Sequence, residues 1–265
     1  MPPISAELDD DLALALELTA AADEVTMGRF RARDLHVETK PDQTPVSEAD
    51  HAVERLLRDR IAAERPGDAV LGEEFGEEFG LAGAGRRRWI IDPIDGTKSF
   101  VRGVPAWATL LALEVDGDVV LGVVSAPALG RRWWARRGGG AFADGAPIHV
   151  SAIRSMEDAQ LCAPSERYFD DAGLGEPYRT LAARSWRTVG FADFWGHVLV
   201  AEGAVDVMIE PILALWDIAA LRPIVEEAGG RVSDLTGAGW ADGAPCVTTN
   251  GLLHDQTLTA LADRG

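Results

Sequence analysis

Apolar positions fall at helical spacing near the start of the chain, at strand spacing through its middle, and at helical spacing again late. Leu8, Leu12, Leu16 and Ala20 recur every four residues and predict a first helix, capped by Ser5 and running to about Phe30. "HVETKPDQTPVSEAD" predicts a short extended piece and a polar turn, leading to Ser47 as N-cap of a second helix. That helix would turn Ala49, Val53, Leu56, Leu57 and Ile61 inward and end at "RPGD". "AVLGEE" and "RWII" then read as short buried strands, joined by a glycine-rich surface loop that carries Arg86, Arg87 and Arg88.

"WATLLALEV", "DVVLGVVS", "RRWWARR" and "PIHVS" follow as an antiparallel meander, with turns at Asp116-Gly117 and Asp144-Gly145. "FADFWGHVLVAEGA" reads as a helix, "VDVMIE" as a strand, and "LWDIAALRPIVEEAGG" as one helix blemished by Pro223 and closed by glycines. Such an order implies layered α and β structure in a single unit over 1–265, with halves at 1–150 and 151–265. The stretch from Cys162 to Arg184 carries no clear period.

Charge narrows the choice of partner. Lys and Arg number 25 against 43 Asp and Glu, a formal charge of −18, which argues against nucleic acid or an anionic membrane and in favour of cations. The start lacks a basic region ahead of its apolar residues, so neither a signal peptide nor a spanning helix is expected. Cys162 and Cys246 suit reduced thiols in a cytoplasmic protein. His36, His51, His149, His197 and His254 show no ligand-like spacing and read as surface or packed residues.

Three acidic clusters lie at strand ends or a helix start: Glu73 with Glu74, Asp92 with Asp95, and Asp217 beside Trp216. The run Trp89, Ile90, Ile91 draws Asp92 toward the core, where an unpaired carboxylate costs several kcal/mol, so a cation should neutralise it. Carboxylates with backbone carbonyls, and no His or Cys nearby, suit a hard ion such as Mg²⁺. Pro93 restrains the spacing of the two aspartates, with the Ile94 carbonyl turned inward between them. Gly96 and Thr97 supply N–H groups and a hydroxyl for an anion, so a phosphate ester is the expected substrate. There is no G-x-S-x-G elbow, no Walker loop and no dinucleotide fingerprint. "RRWWARR" fits a strand with two faces better than a nucleic-acid patch.

"GEE", "WIIDPIDGT" and "LWDIAALRPIVEEAGG" resemble, in order, the three metal-site motifs of the inositol monophosphatase superfamily, and the likeness extends over nearly the whole chain. The resemblance implies a five-layered αβαβα sandwich, Mg²⁺ dependence and a homodimer. It makes Glu73, Asp92, the Ile94 carbonyl, Asp95 and Asp217 metal ligands. Asp50 and Thr97 would orient the attacking water, Gly96 and Thr97 would bind phosphate, and Glu210 would contact the organic part of the substrate. Asp50 can equally be read as the partner of Ser47 in a capping box. "KSFVRGVPAWATLLAL", "GVVSAPALGRRWWARRGGGAF" and "TNGLLHD" are most similar to the actinobacterial type of histidinol-phosphate phosphatase. Its substrate carries an ammonium and an imidazole, for which Asp193 and Glu210 are the candidate partners. Inositol phosphate or a 3′-phosphonucleotide are alternatives with the same chemistry, and a metal or phosphate sensor without activity is one of another class.

Overall fold

The structure, a computed structural model, describes residues 4–41, 43–81, 86–240 and 242–262. The first layer is a pair of helices, α1 (Ile4–Arg29) and α2 (Glu48–Glu64), linked through the two-stranded ribbon β1 (Val37–Thr39) and β2 (Pro45–Ser47). The face that α1 buries is Leu8, Ala15, Leu18 and Ala22, with Leu14 beside it, while Leu12 and Leu16 are half-buried and Ala20 is exposed. A strict four-residue repeat advances about 40° per step on a helix of 3.6 residues per turn, so the expected stripe drifts off the core. Ser5 lies inside α1 rather than ahead of it. In α2 the Ser47 cap forms as expected, and only Leu56 of its inward face is left half-buried.

The second layer is an eight-stranded sheet. Its strands are β3 (Ala69–Gly72), β4 (Gly76–Glu78), β5 (Arg87–Asp95), β6 (Ala108–Val115), β7 (Asp118–Ala126), β8 (Arg131–Arg136), β9 (Ala141–Ala143) and β10 (Ala146–Pro147), in the order β10-β9-β8-β7-β6-β5-β3-β4. Both faces are covered, so its central strands read as continuous apolar runs. In β6, Leu111 and Leu113 face α1 and α2, while Leu110 and Ala112 face the opposite layer. The turns at Asp116-Gly117 and Asp144-Gly145 hold both residues at positive φ, as a two-residue hairpin with right-twisted strands requires.

Two expectations about this sheet need correction. Arg87 and Arg88 start β5 instead of sitting in a loop, because Asp11, Asp68, Glu77 and Glu114 pair with them. Residues 82–85 of the glycine-rich loop lie outside the described residues. "PIHVS" is a strand only at its start; beyond Pro147 the chain leaves the sheet, and Val150 N–H bonds to Ala228 O at 3.1 Å. The arginines of β8 are paired with acids: Arg131 with Asp144 and Glu202, Arg132 with Asp23, and Arg136 with Asp9.

The third layer is α6 (Phe194–Ala201), α7 (Leu215–Ala219) and α8 (Leu221–Glu227). The one late helix expected from sequence is two, since Pro223 has no N–H for the carbonyl four residues back, and the chain restarts so that Pro223 falls in the first turn of α8. A five-stranded sheet follows, ordered β12-β11-β13-β15-β14, from β11 (Gln160–Cys162), β12 (Arg187–Val189), β13 (Val207–Glu210), β14 (Arg231–Ser233) and β15 (Cys246–Thr249). Its outer face carries α4 (Glu166–Asp171), α5 (Gly175–Arg184) and α9 (His254–Ala262), packed through Phe169, Leu181 and Leu261. The unreadable stretch therefore consists of two short helices of the fifth layer, and the order of layers is αβαβα. No helix among the described residues is long and apolar enough to cross a membrane.

Candidate metal centre

Asp92 and Asp95 stand three apart, so on a regular strand they would face opposite sides. The pairing of β5 with β6 removes that conflict. Asp92 lies opposite Leu110 and Asp95 opposite Ala108, three steps on one strand against two on the other, which is a bulge. Pro93 sits in the bulge, where its missing N–H costs no ladder bond, and Thr109 Oγ1 donates to its carbonyl at 2.8 Å. Both carboxylates thereby reach one cavity of about 640 Å³.

Asp217, in the first turn of α7, enters the same space from the third layer, with one oxygen accepting the Ala214 N–H at 2.8 Å. One oxygen from each of Asp92, Asp95 and Asp217 lies within 4.8 Å of the others. Burial is the main force on all three, and like charges add to it. Asp92 is pushed well above the ordinary carboxylate range, with Glu73 the next cause, and Asp95 likewise, with Asp193 the next cause. Asp217 is pushed up to about 7. Three crowded, buried carboxylates that repel one another form a donor set that a cation would neutralise. With oxygen donors alone the set fits a hard divalent ion.

Glu73 borders the cavity but its charge is engaged: Lys40 Nζ lies 2.7 Å from Glu73 Oε1 and 2.6 Å from Glu74 Oε1. Lys40 falls in the stretch read from sequence as a polar turn, and nothing local marked it. Beneath the turn from Gly72 to Phe75 lies a second unannounced residue, Glu54, which is fully buried in α2. Its carboxylate accepts from the N–H of Glu74 at 2.8 Å, the N–H of Phe75 at 3.1 Å and Arg58 Nε at 2.9 Å. A Cβ on Gly72 would fall 2.0 Å from Glu54 Oε1, so only glycine leaves room for that anchor.

Asp50 forms the capping box and also reaches Thr97. Oδ2 accepts from Ser47 N at 2.8 Å and Ser47 Oγ at 2.6 Å, the capping box, while Oδ1 lies 3.3 Å from Thr97 Oγ1. Thr97 Oγ1 is also 2.9 Å from the Ile94 carbonyl. Burial raises the Asp50 carboxyl above its usual range. Gly96 has φ of 83° and a Cβ there would meet Ala106 O at 2.9 Å, so the turn into the helix that starts at Thr97, α3 (Thr97–Val101), demands glycine. The first N–H groups of a helix have no internal partner and here they border the cavity.

Asp193 and Glu210 border the same cavity, and Asp193 Oδ2 comes within 3.3 Å of where a Cβ on Gly96 would lie. Asp193 adopts φ 60° and ψ −156°, rare for a residue with a side chain, and this turn lets the next N–H, that of Phe194, donate to Asp95. Burial, with Glu210 beside it, pushes Asp193 up to about 6. His197 is packed, one of the two readings its sequence allowed, and it is buried with Nε2 3.1 Å from Glu210 Oε2. They stand thirteen positions apart, with the rest of α6, a loop and most of β13 between them, so no local pattern announced the pair. Asp92, Ile94, Asp95, Gly96, Thr97, Asp193, Glu210, Asp217 and Glu73 thus border one cavity, and Asp50 stands behind Thr97.

The profile of the inositol monophosphatase family matches residues 7–264. A histidinol-phosphatase of Mycobacterium tuberculosis is 52% identical over 257 residues, covering 95% of this chain and 98% of that one. A histidinol-phosphatase of Streptomyces coelicolor is 49% identical over 264 residues, with 96% and 98% covered. The crystal structure of the extragenic suppressor protein suhB from Bartonella henselae superposes with a TM-score of 0.89 at 28% identity, over 97% of this chain and 100% of that one. The chain belongs to the inositol monophosphatase family.

Proposed function

We propose that the protein is a Mg²⁺-dependent phosphomonoesterase that hydrolyses histidinol phosphate to histidinol and phosphate, a step of histidine biosynthesis. The observation that carries this reading is the trio Asp92, Asp95 and Asp217 within 4.8 Å, sharing one cavity with the start of α3 and with the acidic residues Asp193 and Glu210. The names of the two bacterial relatives at 52% and 49% identity favour the same substrate. Glu73, Asp92, the Ile94 carbonyl, Asp95 and Asp217 would hold the metal. Bound there, Mg²⁺ supplies positive charge against the phosphate oxygens and makes a water molecule acidic enough to attack.

The chain's own residues do the rest. Gly96 and the N–H groups that open α3 receive phosphate oxygens, fixing the ester for in-line attack. The Thr97 hydroxyl, with one hydrogen to give to either the Ile94 carbonyl or Asp50 Oδ1, orients the attacking water through its oxygen. Ser47 pins Asp50 through the other oxygen, so Oδ1 keeps its aim during turnover. Asp193 and Glu210 accept hydrogen bonds from the ammonium and imidazole of histidinol, where charge assistance roughly doubles their strength. A homodimer in the cytoplasm completes the reading. Phosphate release by the purified protein from histidinol phosphate, inositol 1-phosphate and a 3′-phosphonucleotide tests it. A clear preference for the first is expected, and equal slow turnover of all three would overturn the substrate.

A further inference from the structure

Glu210 closes β13 and borders the cavity, but much of its carboxylate is committed before any substrate arrives. Oε1 accepts the Asp193 N–H at 3.3 Å, and Oε2 lies 3.1 Å from His197 Nε2. The far side of the His197 ring is also engaged, with Nδ1 2.8 Å from Thr248 Oγ1 on β15. A carboxylate has no hydrogen to give, so Nε2 is the donor to Glu210, while Nδ1 shares a hydrogen bond with the Thr248 hydroxyl. The ring is fully buried and every polar atom on it is used.

We infer that His197 is a positioning residue that sets which organic group this cavity accepts. It locks Glu210 as a pure acceptor beside Asp193, with the remaining lone pairs facing the cavity. A leaving group bearing an alkylammonium or another N–H cation compensates both charges. Lys98, which also borders the cavity, offsets part of the Asp193 charge; a neutral polyol adds nothing to that and forms the weaker class of hydrogen bond. Without His197, Glu210 gains freedom to turn toward water, and the wall loses its preference while the metal side of the cavity stays as it is. The inference rests on the histidinol phosphate reading and adds to it the residue that makes Glu210 selective.

The test compares steady-state kinetics of the full-length Mg²⁺-loaded protein on histidinol phosphate and on glycerol 2-phosphate, whose leaving group is a neutral polyol. In His197→Phe, which keeps the ring volume and deletes the donor, KM for histidinol phosphate is expected to rise about tenfold, with a much smaller change for glycerol 2-phosphate. His197→Gln, whose amide N–H can reach Glu210, should recover most of the preference. Thr248→Val removes only the outer bond and should shift KM in the same direction by about threefold, which keeps the inference testable if His197→Phe fails to fold. The inference is overturned if these variants retain the wild-type preference, or if both esters lose kcat and KM in step with a fall in Tm. Wild-type protein that shows no preference for histidinol phosphate overturns the substrate reading itself, before any variant is compared.

Discussion

Glu54→Gln keeps the volume of a fully buried side chain while removing its charge and one acceptor oxygen. Three donors point at the native carboxylate, Arg58 Nε at 2.9 Å and the N–H groups of Glu74 and Phe75 at 2.8 and 3.1 Å, and Arg58 Nη2 lies 2.8 Å away as an ion-pair contact. An amide nitrogen turned toward either set faces another donor, so at least one bond is lost. Arg58 is left in a buried position with only Glu78, 3.5 Å away and well exposed, as a counter-charge. Removing one member of a buried pair costs about 3–5 kcal/mol, and the residual contact to Glu78 places this case near the lower end, about 3 kcal/mol. For a chain of this size that is a fall in Tm of about 6–12 °C by scanning calorimetry in EDTA. The turn that loosens carries Glu73, so isothermal titration should show Mg²⁺ affinity weakened by about tenfold. A variant that melts within about 2 °C of wild type and binds Mg²⁺ unchanged refutes the idea that Glu54 anchors this turn.

Asp95→Asn should lower turnover by about 10³-fold or more, since it removes a metal charge at nearly constant volume. Its metal-free Tm should hold or rise, because burial and the charges of Asp193 and Asp217 make ionising Asp95 costly and Asn cannot ionise, and circular dichroism with an activity assay checks both. In the metal-free protein Asp217 keeps its proton to about pH 7, against 3.8 for the free group, so the folded state binds more protons than the unfolded chain between these values. Stability is then fullest on the acid side and falls as pH rises through about 7, with Asp92 and Asp95 extending the loss upward. Melts in EDTA from about pH 5 to pH 8 should show that decline and Mg²⁺ should reverse it; a rising profile contradicts the electrostatic account. Gly72→Ala drives a Cβ into Glu54 Oε1 and should cost about 1–3 kcal/mol in chemical denaturation, with a weaker hold on Mg²⁺ than wild type.

What could be read from the sequence was what is written locally. Trp89 to Thr97 carries its own strand, bulge and turn, so the aspartate pair and its neighbouring N–H groups follow from a few adjacent residues. The hairpins at Asp116-Gly117 and Asp144-Gly145 were legible for the same reason, because positive φ demands particular residues. Periodicity served less well where it was exact in number but not in angle, as along α1. Contacts that join distant layers left no local mark. Glu54 reads as one more acidic residue of an amphipathic helix until the turn at Gly72 closes over it, and Lys40 reads as a turn residue until it meets Glu73 and Glu74. His197 and Glu210 come together only because α6 packs beside β13 in the assembled third and fourth layers. The motif thus announces the chemistry, and the residues that tune it emerge from the packing.

The central claim is that Asp92, Asp95 and Asp217 form a hard-cation centre. Anomalous diffraction from a crystal equilibrated with Mn²⁺, which shares the oxygen preference of Mg²⁺, addresses it directly. A strong peak bounded by the carboxylates of Asp92, Asp95 and Asp217, with Glu73 released from Lys40 to join it, is the result expected. Peaks confined to the surface, with the three aspartates bound to no ion at saturating Mn²⁺, would contradict the account.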